Sequence, residues 1–334
     1  MRSPVENDKN GPECNVPASS ASPASSLSLG GSPLTTAPVA RVPAAAAREV
    51  ERQLGQPLKS GLYLVATPIG NLGDMTLRAL AVLAQADVVY CEDTRRSGIL
   101  MQHFSLSAPL RPYHEHNAAA QRPRLLADLA EGKRVALISD AGTPLLSDPG
   151  YKLVREVLDA DHLVVSIPGA SAALTALIST GLPTDEFYFI GFLPAKAGAR
   201  AARIKELQNV DATLVFYEAP SRVAATLADL NDVLGSRHAA VARELTKLHE
   251  TVSRGTLPEL AERFACAEER GEFVIVIGPP AVTEISDAAI AAALTEAMEE
   301  MRLKDAAKAV ASALGVARNR VYNIGLKLKG ERGV

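Results

Sequence analysis

A twelve-residue polar loop in the middle of the chain constrains the fold more than any other stretch. It spans residues 139–150 and follows residues 134–138, a short apolar run with the length and β-branching of a buried strand. Gly142 allows a positive φ, and two prolines of the loop remove amide donors. Loops at the carboxyl ends of strands bind ligands in open α/β sheets. Helix capping by Ser147 or Asp148 is the alternative, but it explains only the end of the loop.

Strand, loop and helix alternate on both sides of this loop, which predicts a parallel sheet. The predicted strands of this sheet are 62–66, 87–91, 110–114, 134–138 and 163–167. Beyond residue 183 fewer helices separate the apolar runs, so a mixed sheet is expected. Its predicted strands are 187–192, 213–217, 239–243, 251–255 and 273–277. From Ser286 onward the pattern is helical, with a glycine turn at Gly315.

The fold class is therefore α/β, with two α/β domains and a small C-terminal helical module. A chain of 334 residues is long enough for two or three domains. Residues 1–57 are rich in Ala, Ser and Pro and are predicted to be a disordered extension. The predicted domains are 58–172 with a mostly parallel sheet, 173–281 with a mixed sheet, and 282–334 as a basic helical module.

Composition limits the classes of partner. The net charge of −3 gives no general attraction for nucleic acid, so a polyanion needs a local basic patch. Residues 302–334 supply one, with eight basic and two acidic side chains. The three cysteines are far apart, which favours neither disulfides nor a zinc site, and no metal is predicted. No apolar run reaches membrane-spanning length, so the sequence predicts a cytoplasmic protein without a membrane segment.

The first glycine loop does not fit the common nucleotide-binding motifs. Gly70 and Gly73 lack the spacing of a dinucleotide fingerprint, and the chain has no phosphate-binding P-loop sequence. A plain turn between strand and helix remains the alternative for this loop.

Seven segments, taken in order, closely resemble the ribosomal RNA small subunit methyltransferase I family of the tetrapyrrole methylase superfamily. They are Thr-Pro-Ile-Gly-Asn-Leu-Gly-Asp at 67–74, Glu-Asp-Thr-Arg at 92–95, the loop at 139–150, Pro-Gly at 168–169, Gly-Phe-Leu-Pro-Ala-Lys at 191–196, Phe-Tyr-Glu at 216–218 and Ala-Arg-Glu-Leu-Thr-Lys at 242–247. The resemblance runs from about Gly61 to the C-terminus. The Asp-Ala-Gly-Thr-Pro sequence replaces the Gly-Asp-Pro loop of porphyrin methylases, which points away from a tetrapyrrole substrate.

The resemblance implies transfer of a methyl group from S-adenosylmethionine to the ribose 2′-oxygen of a cytidine in the decoding region of 16S ribosomal RNA, within the 30S subunit. It also implies a homodimer and a cofactor cleft between two α/β domains. The cofactor contacts that it implies are Pro68, Ser139, Asp140, Ala141, Gly142, Ser147, Ser171, Ala172, Tyr217 and Glu218. The alternatives are a small-molecule methylase and a non-catalytic RNA-binding or ribosome assembly protein.

A ribose hydroxyl is a poor nucleophile, so a base or strong orientation is expected. The candidate catalytic residues are Asp93, His114, His116, Glu218 and Glu244. Helix capping, ion pairing and exposure in a loop are the competing interpretations of these side chains. Basic residues at loops beside the expected cleft are candidate RNA contacts: Arg95, Arg96, Lys196, Arg200, Arg203 and Lys247. In the C-terminal module the candidates are Lys304, Lys308, Arg318 and Lys327.

Overall fold

The first lobe is built on a parallel sheet, as the alternation of strands and helices predicts. The computed structural model describes residues 41–146, 151–265, 270–280 and 286–331. The sheet contains β1 (Gly61–Val65), β2 (Val88–Cys91), β3 (Leu110–Pro112), β4 (Arg134–Ile138) and β5 (Val164–Ile167). Neighbouring strands pair in parallel in the order β3-β2-β4-β1-β5, so β4 and β1 lie inside the sheet.

Helices cover both faces of this sheet. The helices of this lobe are α1 (Arg41–Leu54), α2 (Leu77–Gln85), α3 (Thr94–His103), α4 (Ala118–Ala130) and α5 (Tyr151–Asp159), of which α1 lies against α2. Successive side chains of β1 point to opposite faces, so Tyr63 and Val65 pack with α2 while Leu62 packs with α4 and α5. No helix among the described residues is long and apolar enough to cross a membrane.

Helix α1 corrects the prediction that residues 1–57 are disordered. Residues 1–40 lie outside the described part of the chain, but 41–54 form a helix that lies beside α2. The Gln85 side chain donates to the Gln53 carbonyl at 3.4 Å. Composition correctly indicated that this segment has no core, because none of its residues is buried. The prediction of disorder was wrong for residues 41–54 because Ala is the strongest helix former and because Glu49 pairs with Arg52 one turn later.

The second lobe holds the predicted mixed sheet. Its strands are β6 (Phe187–Phe192), β7 (Thr213–Glu218), β8 (His238–Arg243), β9 (Thr251–Thr256) and β10 (Phe273–Ile277). They lie in the order β6-β7-β10-β8-β9, and β6 with β7 is the parallel pair. Helices α6 (Ala172–Thr180), α7 (Ala197–Glu206), α8 (Val223–Leu234) and α9 (Leu257–Ala265) belong to this lobe. Ile69 of the first lobe packs into the same apolar cluster as Ala176 and Leu177 of α6.

A separate compact unit begins at residue 281. Its described residues form α10 (Asp287–Glu300), α11 (Leu303–Leu314) and α12 (Arg318–Glu331), around a small core that includes Leu303, Val310 and Val321. Gly315 ends α11 in the left-handed conformation, with φ of 64°. Gly325 lets α12 pack closely, because a Cβ there would lie 2.8 Å from Leu294 Cδ2.

The charge of this unit corrects the expectation of a basic module. Residues 282–334 contain eight basic and seven acidic side chains, so the unit as a whole is nearly neutral. The acids lie mainly on α10, whereas the basic residues lie on α11 and α12. Only these last two helices form the basic patch that the sequence indicates.

Candidate functional site

A cleft of about 430 Å³ lies between the two sheets, at the carboxyl ends of β4, β5 and β7. Most of the predicted cofactor contacts line it: Ser139, Asp140, Ala141, Gly142, Ser171, Ala172, Tyr217 and Glu218. Pro68 lines a neighbouring recess instead, and Ser147 falls outside the described residues. The structure therefore brings together side chains that lie up to 79 positions apart in the sequence.

The central loop follows β4 and is fixed by hydrogen bonds to the segments that follow β1 and β5. Thr67 and Gly142 exchange two backbone hydrogen bonds of 3.0 Å, and the Thr67 hydroxyl donates to the Ser139 carbonyl at 3.0 Å. Thr143 donates to the Ala170 carbonyl at 3.1 Å. Gly142 has φ of 82°, and a Cβ there would lie 3.1 Å from Ile69 Cγ2. Glycine is needed for both the backbone angle and the close contact.

The cleft also contains residues that the sequence reasoning missed. Phe192 is largely exposed, and its ring lies 5.6 Å from that of Tyr217. Ile69 and Val274 add apolar wall, while Glu272 adds a carboxylate. An aromatic residue at the end of a strand is a weak signal by itself, and only the pairing of β6 with β7 places Phe192 beside Tyr217.

Asp93 is held in a structural role at the start of α3. Its carboxylate caps the helix by accepting from the Arg95 amide at 2.8 Å, and it also pairs with the Arg95 side chain. The hydrogen bond from the Arg95 side chain is the main cause that lowers the pKa of the Asp93 carboxyl. The hydrogen bond to the Arg95 amide supports the capping interpretation. The lowered pKa also makes this carboxylate a weaker base.

Glu218 lines the cleft, yet its carboxylate is buried and points into a network of the second lobe. It accepts from Arg222 Nε at 2.6 Å, from the Thr226 hydroxyl at 2.7 Å and from the Ala219 amide at 2.8 Å. The side chain is 0% exposed. All these bonds are internal, so the geometry supports a structural anchor better than a general base.

Glu244 is likewise engaged. Its Oε1 accepts from Lys247 Nζ at 2.9 Å and from the Glu272 amide at 2.9 Å. The Lys247 hydrogen bond is the main cause that lowers the pKa of the Glu244 carboxyl. Lys247 lines the recess beside the cleft rather than the cleft itself.

His114 lines neither the cleft nor the recess beside it. Its Nδ1 is buried without a hydrogen-bond partner among the described residues, and the ring lies 6.1 Å from that of His116. The described part of the chain has no cluster of His, Cys, Asp and Glu suited to a metal ion.

The candidate RNA contacts differ in their exposure to solvent and in their ion pairs. Arg96 is exposed, lines the cleft and lies 3.7 Å from Asp140 Oδ2. Lys196 is exposed just before α7, and the candidates Lys304, Lys308, Arg318 and Lys327 are exposed in the C-terminal unit. Arg200 is buried against Asp229 at 2.6 Å, so expecting it to contact RNA was wrong. Arg203 pairs with Glu206, and Arg95 with Asp93.

Known proteins share this architecture and sequence. The family model for tetrapyrrole (corrin/porphyrin) methylases matches residues 61–261, and the model described as the RsmI C-terminal HTH domain matches 284–329. A ribosomal RNA small subunit methyltransferase I from Mesorhizobium japonicum is 48% identical over 280 residues, covering 83% of this chain and 95% of the relative. The chain belongs to the ribosomal RNA small subunit methyltransferase I family. A family member from Micromonospora olivasterospora is 47% identical and covers 81% of this chain and 88% of its own.

The family assignment confirms the resemblance noted in the sequence and makes the chain a member of a methyltransferase family. Among solved structures, diphthine synthase superposes with a TM-score of 0.52 at 15% identity, covering 65% of this chain and 89% of its own. At that identity the likeness shows the fold alone, and it confirms the predicted α/β class.

The burial of Glu218 generates a testable prediction. Glu218→Gln removes the anion that faces Arg222 inside the lobe, so we expect the free energy of unfolding to fall by about 2 kcal/mol or more. Urea denaturation measures it. Glu206→Gln, which breaks the exposed pair with Arg203, should change it by less than about 0.5 kcal/mol. An inactive Glu218→Gln variant with the stability of the parent would instead assign Glu218 to the chemistry.

Proposed function

We propose that this chain methylates the ribose 2′-hydroxyl of a cytidine in 16S ribosomal RNA, with S-adenosylmethionine as methyl donor. The observation that carries the proposal is the convergence of the family's sequence segments on one cleft. Family relatives named for small-subunit ribosomal RNA cover most of the chain and support the substrate class. We place the reaction in the cytoplasm and favour RNA within the 30S subunit.

The residues of the cleft fit such a donor. Ser171 Oγ is buried at the wall without a hydrogen-bond partner among the described residues, which suits a polar group of a ligand. Ile69, Phe192 and Val274 offer apolar surface for an adenine ring. Gly142 lets the central loop pack against Ile69 and the Ala170 carbonyl, which shapes this wall of the cleft. The donor would supply an electrophilic methyl group bound to a sulfonium sulfur.

The chain's own contribution is chiefly orientation. Three of the candidate bases, Asp93, Glu218 and Glu244, hold internal hydrogen bonds. A rigid central loop, tied to Thr67 and Ala170, presents Asp140 at the cleft wall. Holding two reactants in line supplies a large part of the rate acceleration in many enzymes.

We also propose a homodimer. Leu174 and Ile178 are exposed apolar residues on α6, and Phe187 and Tyr188 are exposed on the edge strand β6. Exposed apolar residues at a sheet edge are well suited to a second copy of the chain.

Methyl transfer itself is the direct test of the function. Labelled S-adenosylmethionine is incubated with 30S subunits, naked 16S RNA and a porphyrin, and the RNA is digested to nucleosides. Label in 2′-O-methylcytidine supports the proposal, whereas label in the porphyrin would favour the small-molecule alternative. Absence of transfer to any acceptor would favour the assembly-protein alternative.

Gly142→Val should lower the affinity for S-adenosylmethionine by more than tenfold, about 1.4 kcal/mol, because the side chain would meet Ile69 and strain the loop. Isothermal titration calorimetry measures the affinity. Gly132→Val is the matched control, since Gly132 has φ of 80° but open space around its Cβ position. Equal affinities in folded variants would contradict the assignment of the loop.

The basic residues of α11 and α12 should bind RNA phosphates. Replacing Lys304, Lys308, Arg318 and Lys327 by Gln removes four exposed cations. We expect the slope of log affinity against log salt to fall by about 3, at about 0.7 per lost contact with single-stranded RNA. The difference from the parent should therefore be largest at low salt. Filter binding to 16S RNA measures it.

The control for this experiment changes charge on the acidic helix of the same unit. Glu296, Glu299 and Glu300 are exposed on α10, and their replacement by Gln should leave the salt slope unchanged or slightly steeper. An unchanged slope in the fourfold basic variant would show that the module does not contact phosphates.

A further inference from the structure

A second recess, of about 260 Å³, opens beside the cleft. The loop 67–72, the first turns of α3 and Lys247 form its walls. It shares Ile69, Asp140 and Glu272 with the cleft, so the two spaces meet along one wall. A group bound in the recess would therefore lie next to a methyl donor bound in the cleft.

Lys247 is held in a defined position on the wall of this recess. Its Nζ donates to Glu244 Oε1 at 2.9 Å and to Glu272 Oε2 at 3.1 Å. Gly70 packs against its stem, because a Cβ at Gly70 would overlap Lys247 Cγ. The preceding Thr246 has φ of 65°, a rare angle for a β-branched residue that the surrounding fold must impose.

Lys247 is a cation and not a general base. Burial acts to lower the pKa of its ammonium, but the hydrogen bonds to Glu244 and Glu272 outweigh that effect, so the pKa is raised. The ammonium therefore stays protonated at neutral pH, with one donor group free for a ligand beyond its two carboxylate partners.

The charges around the recess argue against a phosphate as its occupant. Three carboxylates, Asp140, Glu244 and Glu272, lie in or against its wall, whereas Arg96 and Lys247 are the cations among them. An anion would be repelled by this excess of negative charge. A neutral group that carries both donors and acceptors suits the set better.

The remaining wall suits a flat ring. Leu72 and Ile99 are exposed apolar side chains that line the recess, together with Leu100. The volume lies below the range of about 300–1,000 Å³ typical of drug-sized ligands, so it would take a single base with part of its ribose. Proteins recognise single-stranded RNA by holding such unstacked bases and bonding their Watson–Crick edges.

We propose that Glu272 and Lys247 recognise the Watson–Crick edge of the cytosine whose ribose is methylated, an inference that rests on the proposed function. Cytosine carries an amino donor at C4 beside the acceptors N3 and O2. The Glu272 carboxylate would accept from the amino group, and Lys247 would donate to N3, which is an acceptor in cytosine and an N–H donor in uracil. Uracil places a carbonyl at C4, so it would face the carboxylate with a second acceptor. Glu244 acts through Lys247 as a positioning residue.

The test measures base discrimination. Reconstituted 30S subunits carry either cytidine or uridine at the methylated position, and kcat/KM for methyl transfer is measured on both at saturating S-adenosylmethionine. The parent should prefer cytidine. In Glu272→Gln we expect the cytidine-to-uridine ratio to fall by about tenfold, because a carboxamide can also donate to the uracil carbonyl. Lys247→Met, as a separate variant, should also reduce the cytidine-to-uridine ratio of kcat/KM. Both rates come from one variant, so its stability and its donor affinity cancel in the ratio.

The control is Glu131→Gln, which breaks another Glu–Lys pair. The Glu131 side chain is 63% exposed and that of Glu272 is 64% exposed. Glu131 lies before the amino end of β4, whereas the cleft lies at the carboxyl ends of the strands, so the Glu131→Gln variant should keep the parent ratio. A parent-like ratio in both Glu272→Gln and Lys247→Met would overturn the inference. Equal parental rates on cytidine and uridine would also overturn it but leave methyl transfer standing, whereas no transfer to either would overturn the proposed function and the inference together.

Discussion

The pair of backbone hydrogen bonds between Thr67 and Gly142 is the constraint on which the site depends. The loops that follow β1 and β4 would otherwise diverge, since parallel strands leave their carboxyl ends free. This bridge ties the two loops together and sets the central loop against the wall of the cleft. It requires a residue at position 142 that accepts a positive φ and has no Cβ to meet Ile69. The absence of a side chain at Gly142 therefore determines both the backbone conformation of the central loop and the position of this loop at the cleft.

Much of the fold could be predicted from the sequence because strand and helix periodicities are strong in this chain. The parallel pairing of the first sheet and the collection of its loops at one edge follow from the alternation of strands and helices, and the mixed second sheet follows from the smaller number of helices there. Helix α9 was not predicted; its Pro258 lies in the first helical turn, a position that is compatible with proline. Helix α1 was not predicted because a composition rich in Ala, Ser and Pro indicates little burial, whereas this helix depends on the helix propensity of alanine.

The roles of single charged residues could not be predicted, since they depend on partners that only the folded structure identifies. Arg200 is a plausible surface cation until its partner Asp229 is known, 29 positions away. Glu218 looks like an active-site carboxylate until Thr226 and Arg222 surround it. Glu272 carries no recognisable sequence signal, and only the pairing of β8 with β10 brings it to Glu244 and Lys247. The type of a residue therefore shows which interactions its side chain can make, and the partners that the fold brings to it determine which of these it does make.

The separation of charge within the C-terminal unit has a consequence for the encounter with RNA. A nearly neutral body with acids on α10 and bases on α11 and α12 is an electric dipole. In the electric field of a polyanion, the net electrostatic attraction of a nearly neutral unit is small. The field nevertheless exerts a torque that turns the basic side of the unit towards the polyanion. If the unit binds RNA as proposed, its acidic side repels an approach in the wrong orientation. Selectivity for orientation is thus obtained without the non-specific adhesion of a uniformly basic domain.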